Sequence, residues 1–183
     1  MKKLFIVLAV IVIGGLAIYF LDDGENKTPD FRAQKSEDEV FKPDPSNATF
    51  IFEDGPITLS GGKATQTVSP DSGFLEEISL TKVQDLGDIN EDNRDDAVVL
   101  IERIGGGSGQ FFYIAAFVSS GSSFKGTNAF YVGDRISPQS VDVSNGIITL
   151  KYLDRSAEEP FAASPTIPAS KEFAFRSGTL VER

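Results

Sequence analysis

Nine residues carry the densest chemistry in the sequence: Asp88-Ile89-Asn90-Glu91-Asp92-Asn93-Arg94-Asp95-Asp96. Side-chain oxygens recur at alternate positions on Asp88, Asn90 and Asp92, and Asp96 closes the run. Five of the nine are Asp or Glu against a single Arg94, so the carboxylates repel one another unless a cation or solvent neutralises them. Oxygen at alternate positions of a tight turn is the pattern by which one loop surrounds a hard cation. Ligands of this type and number suit Ca²⁺ better than Mg²⁺ or a soft metal. The competing reading of the same residues is a solvated acidic turn between two strands. Counted from Asp88, position twelve is Val99, so the bidentate Glu that completes an EF-hand loop is missing.

Other chemistries find less support. The chain has no His, which removes the usual general base and zinc ligand. It has no Cys, which excludes disulfides, thiolate metal sites, a cysteine nucleophile and a lipid-modified N-terminal cysteine. No Ser sits in a nucleophile elbow. Carboxylate pairs are too easily chosen among 27 acids for any one to stand out as a glycosidase pair. Gly105-Gly106-Gly107-Ser108-Gly109 is glycine-rich, but a strand pattern follows it where a phosphate cradle needs a helix, so a hairpin tip is expected. Gly133-Asp134-Arg135 and Leu153-Asp154-Arg155 each set an acid beside a base. Adjacent side chains on a strand face opposite ways, so each is expected to find another partner. A net charge of −10 leaves no basic excess to displace counterions, and nucleic acid is not an expected partner.

The elements that must hold the acidic run begin with a membrane signal. Met1-Lys2-Lys3 precedes an apolar run from Leu4 to Leu21 that contains no charge. A helix over this run, rising about 1.5 Å per residue, spans roughly 27 Å, near the hydrocarbon thickness of a bilayer. Lys2 and Lys3 lie before it, Asp22, Asp23 and Glu25 after it, which orients the N-terminus to the cytoplasm and the remainder outside. Gly15 and Ala17 offer small residues for signal cleavage, but Ile18-Tyr19-Phe20-Leu21 keeps the run apolar past them. The expectation is a single-pass anchor in the cell membrane over residues 1–21. Residues 22–46, with Pro29, Pro43, Pro45 and many charges, read as a flexible acidic linker.

Residues 47–183 read as one exported all-β domain. Short apolar runs alternate with turn pairs: Thr49–Phe52 before Asp54-Gly55, Val141-Asp142-Val143 before Asn145-Gly146, and Glu172–Phe175 before Ser177-Gly178. Asn-Gly and Asp-Gly supply the positive φ of two-residue hairpins. Ala97–Ile101 and Phe111–Val118 are apolar without alternation, which predicts neighbouring central strands covered on both faces. Glu76–Leu86 predicts a long strand with a break near Lys82-Val83. Glu159–Pro168 reads as a proline-punctuated loop crossing between sheets. The sum is about ten strands, in a β-sandwich or a partly closed barrel.

Asp88-x-Asn90-x-Asp92-x-x-Asp95-Asp96 followed by Ala97-Val98-Val99 resembles the calcium loop of FG-GAP and VCBS-type repeats. The resemblance implies as ligands the side chains of Asp88, Asn90, Asp92 and Asp96, with the main-chain carbonyl of Arg94. That family usually has Gly at the sixth position; here it is Asn93, which after Gly best tolerates a left-handed backbone. Family members carry such loops in series, and this chain has one. The order of Gly87–Asn90, Asp95–Val98, Gly106–Phe111 and Gly133–Arg135 is also similar to exported bacterial proteins of unknown function, which implies a membrane-attached ectodomain. The expected role is a membrane-tethered extracytoplasmic module with a structural Ca²⁺ that binds an envelope or extracellular partner. The alternatives are a cell-surface hydrolase using loop carboxylates, or a small-ligand sensor module.

Overall fold

The computed structural model describes residues 42–68, 73–107, 109–160 and 162–183. The expected anchor and most of the linker lie outside the described residues, among which no helix is long and apolar enough to cross a membrane. The described chain is all-β: twelve strands in three sheets, preceded by a 3₁₀ turn at Pro45–Asn47. Asp44 caps that turn by accepting the Ser46 N–H at 2.9 Å, and Pro43 and Pro45 are buried, so packed chain reaches back to residue 43. The strands outnumber the roughly ten expected because short segments such as Lys63–Thr67 and Ser123–Gly126 are too polar to read as strands.

A two-stranded ribbon comes first, β1 (Thr49–Phe52) against β2 (Gly55–Thr58). A six-stranded sheet follows the order β3 (Lys63–Thr67), β4 (Leu75–Gly87), β5 (Asp96–Gly105), β6 (Gln110–Ser120), β7 (Ser123–Gly126). β8 (Phe130–Asp134) also pairs with β6, nearer its start. The third sheet is an antiparallel meander of β9 (Ser137–Ser144), β10 (Ile147–Asp154), β11 (Ile167–Arg176) and β12 (Thr179–Glu182).

The unbroken apolar runs of β5 and β6 have a direct cause. Successive side chains point to opposite faces, and here each face has its own core. Val98, Leu100, Phe112, Ile114, Ala116 and Val118 pack with Val141, Ile148, Leu150, Tyr152, Phe173 and Leu180 of the four-stranded sheet. Val99, Ile101 and Ala115 pack the other way, with Ile78, under Phe50, Phe52, Ile57 and Leu59 from the ribbon and its exit. β4 breaks register between Leu80 and Gln84, around the expected Lys82-Val83, and its second half runs on beside β9. There Asp85 accepts the Val143 N–H at 2.8 Å, so β4 closes that edge of the four-stranded sheet with a side chain. At the other edge Asn128 donates to Leu180 O and accepts from Leu180 N, at 3.1 and 2.7 Å.

Asn145-Gly146 and Ser177-Gly178 form two-residue turns with two consecutive positive φ values each, 51° and 71°, and 48° and 91°. The first hairpin turns one residue earlier than the Asp54-Gly55 pair suggests, at Glu53-Asp54, with Gly55 already opposite Phe52. At Gly126 the ribbon crosses β7 so closely that an added Cβ would overlap the Thr49 carbonyl oxygen. Gly126→Ala is therefore expected to cost about 1–3 kcal/mol through overpacking. A thermal melt equal to the parent's would show that the ribbon has room to move.

Candidate metal centre

The acidic run joins β4 to β5, leaving the first strand at Gly87 and entering the second at Asp96. Its turn is built by its own carboxylates. Asp88 Oδ1 accepts the N–H groups of Asn90, Glu91 and Asp92 at 3.2, 2.7 and 3.2 Å, and Asp88 Oδ2 accepts that of Asn93 at 2.7 Å. Asn90 Oδ1 accepts the Asp92 N–H at 3.1 Å, and Asp92 Oδ1 the Arg94 N–H at 3.0 Å. Two residues are left-handed, Glu91 at φ 64° and Asn93 at φ 63°. Asn93 is the position where the resemblance expects Gly; Glu91 is strained in a region that non-Gly residues enter at a cost of about 1–2 kcal/mol.

Asp96 ties this turn into the core. It is fully buried, accepting the Ile89 N–H at 3.0 Å and the Ser119 N–H at 2.7 Å. Burial pushes its carboxyl above the usual range, the charges of Asp92 and Asp88 push the same way, and the two N–H donors oppose them. Ser119, at the end of β6, also reaches two further loop side chains: its hydroxyl donates to Asp92 Oδ2, and its carbonyl accepts from Asn90 Nδ2 at 3.1 Å. The Ser119 hydroxyl is the main reason the Asp92 carboxyl lies below its ordinary value. Arg94 turns outward, donating to the Gly121 carbonyl with its guanidinium 5.1 Å from the Phe124 ring centre. Three of the four expected side-chain ligands thus meet at Ser119, a residue whose type and spacing give no hint of it.

Among the described residues, no three acidic side chains converge closely enough to enclose an ion. The carboxylates face loop N–H groups instead. Residue types and order fit a hard cation; taking one up requires the remaining lone pairs of these oxygens, or rotation of Asp88 and Asp92. Two open clefts flank the loop, of about 440 and 490 Å³, sharing Glu91, Asn145 and Gly146 as walls.

A second polar centre was not singled out from sequence. Arg103, buried on β5, donates to Asp54 Oδ1 and Oδ2 at 3.1 and 2.8 Å and to Glu76 Oε2 at 2.5 Å. Gln66 Nε2 bridges the same two carboxylates at 3.0 and 2.9 Å. The guanidinium lies over Phe52 and Tyr113, 4.9 and 5.6 Å from their ring centres, and its Nε has no partner. The available signal was parity: Arg103 follows Val99 and Ile101 on one buried face. The Arg103 hydrogen bonds hold the Asp54 carboxyl down at about 2. A carboxyl so acidic has no proton to donate near neutrality, so Asp54 is no general acid.

Ser60-Gly61-Gly62-Lys63 has the serine–lysine spacing of a nucleophile and base. It forms a β-turn with Ser60 N bonded to Lys63 O, and the Lys63 ammonium points away to Glu77 at 3.6 Å in an exposed ion pair. Arg135 pairs with its own neighbour Asp134 at 3.2 Å, against the alternation expected of a strand, because β8 ends at Asp134 and Arg135 is left-handed, φ 52°. Arg155 donates to the carbonyls of Asp134 and Arg135 at the same corner. No protein-family model, curated protein or solved structure matches this chain.

Asp54 binds its proton more weakly in the folded chain than in the unfolded one, where its value is near 3.8. Its contribution to stability is therefore present above pH 3.8 and is lost as pH falls through about 2. Arg103→Met is expected to destabilise by roughly 3 kcal/mol, the low end for a broken buried pair because Asp54 is half exposed, and to flatten this acid limb. Chemical denaturation across the acid range checks it; a limb unchanged in Arg103→Met would mean that other carboxylates carry it.

Proposed function

We propose that this chain is a membrane-tethered extracytoplasmic module, a two-sheet β-sandwich roofed by a ribbon, whose acidic loop takes up Ca²⁺ as a structural ion. The apolar run Leu4–Leu21 would hold it in the membrane, with Lys2 and Lys3 on the cytoplasmic side. The side chains of Asp88, Asn90, Asp92 and Asp96 and the carbonyl of Arg94 would hold the ion. It would supply charge neutralisation and a fixed turn. The role served is binding to an envelope or extracellular partner.

The observation that supports the ion best is the setting of Asp96. Asp96 is fully buried and accepts two N–H donors, and the charges of Asp92 and Asp88 push its carboxyl further up. Buried charges are ordinarily paired or coordinated to metal. Five protein oxygens leave one to three positions of a Ca²⁺ shell, which takes about 6–8, for water.

Ca²⁺ binding only to the folded form raises stability by about 2.7 kcal/mol at 100-fold over Kd. A thermal melt of the chain from residue 42 onward, in millimolar Ca²⁺ and in chelator, is expected to show that rise, and Asp92→Ala to abolish it. The rise should shrink as pH drops into the carboxylate range, because the ligands must be ionised. Identical melts together with no heat on titration would overturn the ion.

For topology, protease added to intact cells is expected to release the folded domain by cutting within residues 22–41, ahead of the packed chain. Protection of the domain until the cells are lysed would reverse the orientation.

A further inference from the structure

The ribbon is narrower than the sheet it covers. β1 and β2 have four residues each and roof Ile78, Val99, Ile101 and Ala115, but β6 continues beyond them toward its start. At the margin of that roof Phe111, Tyr113 and Tyr131 share one face, since Tyr113 pairs with Tyr131 across β6 and β8. Their rings form a continuous set with Phe52: Phe52–Tyr113 at 5.1 Å, Tyr113–Tyr131 at 5.5 Å and Phe111–Tyr131 at 6.4 Å between centres. Phe52 is in the core, Phe111 and Tyr113 are half-buried, and Tyr131 is 42 % exposed. The set therefore runs from the core to solvent and ends on an open tyrosine.

Carboxylates adjoin it: Glu53 follows Phe52 in the hairpin turn, Asp134 stands opposite Phe111 across β6 and β8, and Asp54 and Glu76 hold the guanidinium that lies over Tyr113. Arg103, Arg135 and Arg155 stand at the same corner, so these four carboxylates face three guanidiniums. Arg103 shows what these rings accept: its guanidinium lies over Phe52 and Tyr113 while its N–H groups pair with carboxylates. Arg suits such a place better than Lys, because its flat, weakly hydrated guanidinium stacks on a ring and still presents a fork of donors at its edge.

We propose that this corner, Phe111, Tyr113 and Tyr131 with Glu53 and Asp134 beside them, docks an arginine-bearing peptide segment of a partner protein. The guanidinium would stack on the exposed face of Tyr131 and pair at its edge with Glu53, while the aliphatic stem covers Phe111. This extends the binding role proposed above, giving it a surface and a partner class, and it rests on that reading alone. The acidic loop lies at the other end of β6, since Phe111 and Ser119 are eight residues, roughly 26 Å, apart. Loss of the Ca²⁺ effect would leave this surface untouched, and loss of peptide binding would leave the ion untouched.

The test uses the full chain in detergent micelles and a short, terminally blocked arginine-rich peptide, followed by calorimetry. Tyrosine emission gives a second readout, since the chain has four Tyr and no Trp. A saturable response that weakens with salt is expected for the arginine peptide and not for its glutamate counterpart. Tyr131→Ser should weaken it roughly two- to five-fold, and Glu53→Gln roughly two-fold, with the melt unchanged in Glu53→Gln, whose side chain is exposed, and a cooperative melt retained in Tyr131→Ser, which gives up two ring contacts. Equal binding by Tyr131→Ser and the parent would reduce the effect to general attraction by an acidic chain and overturn the site. A response to a neutral glucose oligomer with none to the arginine peptide would make the rings a sugar platform and overturn the partner class. No saturable response to any probe would overturn both.

Discussion

A strand pair that is apolar on both faces cannot lie at the surface of a domain, because leaving either face in water would forfeit the burial that orders it. β5 and β6 are such a pair, and the arrangement of the chain follows from covering them twice. The C-terminal third supplies one cover, the meander from β9 to β12, and the residues before β3 supply the other, the β1–β2 ribbon. Each cover then brings its own backbone edges. The four-stranded sheet has one edge closed by Asp85 of β4 and the other by the Asn128 amide, which imitates a strand residue. The ribbon is short, and it leaves one corner of the central sheet uncovered.

Burying β5 so completely also buries its charges. Asp96 opens the strand and Arg103 stands near its end, and these are the charged residues buried among those described. They are treated unequally. Arg103 has two carboxylates, a bridging glutamine and two ring faces, so its charge is more than matched. Asp96 has two N–H donors, and the nearest charges raise its carboxyl further. One end of the strand is electrostatically closed and the other is short of a cation. This asymmetry is a stronger argument for an ion at the loop than acidic composition, since exposed carboxylates are content in water and a buried one is not.

The parts legible in the sequence were those decided locally. Asn145-Gly146 and Ser177-Gly178 announce their turns because few other residues enter a left-handed backbone so readily. The runs over Ala97–Ile101 and Phe111–Val118 announce double-sided burial because alternation is absent. The break in β4 was legible near Lys82-Val83 because the two-residue spacing of Ile78 and Leu80 lengthens to three at Val83. Cross-strand relations were not legible. Ser119 gathers Asn90, Asp92 and Asp96 because the β5–β6 register sets Ala97 opposite Phe117, bringing the start of one strand beside the end of the other. Arg103 meets Asp54 and Glu76 from two different sheets, at separations of 49 and 27 residues. The same limit applies to the edge of the packed chain, where Pro43 and Asp44 read as linker composition until the contacts of the 3₁₀ turn are seen.

An ion at Asp96 would act on order more than on reactivity. Its protein ligands come from one turn and from the first residue of a core strand, so its binding free energy would be spent on fixing the β4–β5 connection against β6 through Ser119. The loop is also a wall of both neighbouring clefts, through Asp88, Asn90 and Glu91. Any ligand entering those clefts meets a surface whose shape depends on whether the carboxylates face the loop's own N–H groups or a cation. Occupancy of the ion and of the clefts would then be linked, each changing the affinity of the other by the same factor. The aromatic corner at the far end of β6 shares no side chain with the loop, and rigid, doubly buried strands lie between them. Coupling between the two ends would have to pass along those strands through a second arrangement of their packing; while that packing stays single, the loop's ion and the corner's ligand would each act on its own end.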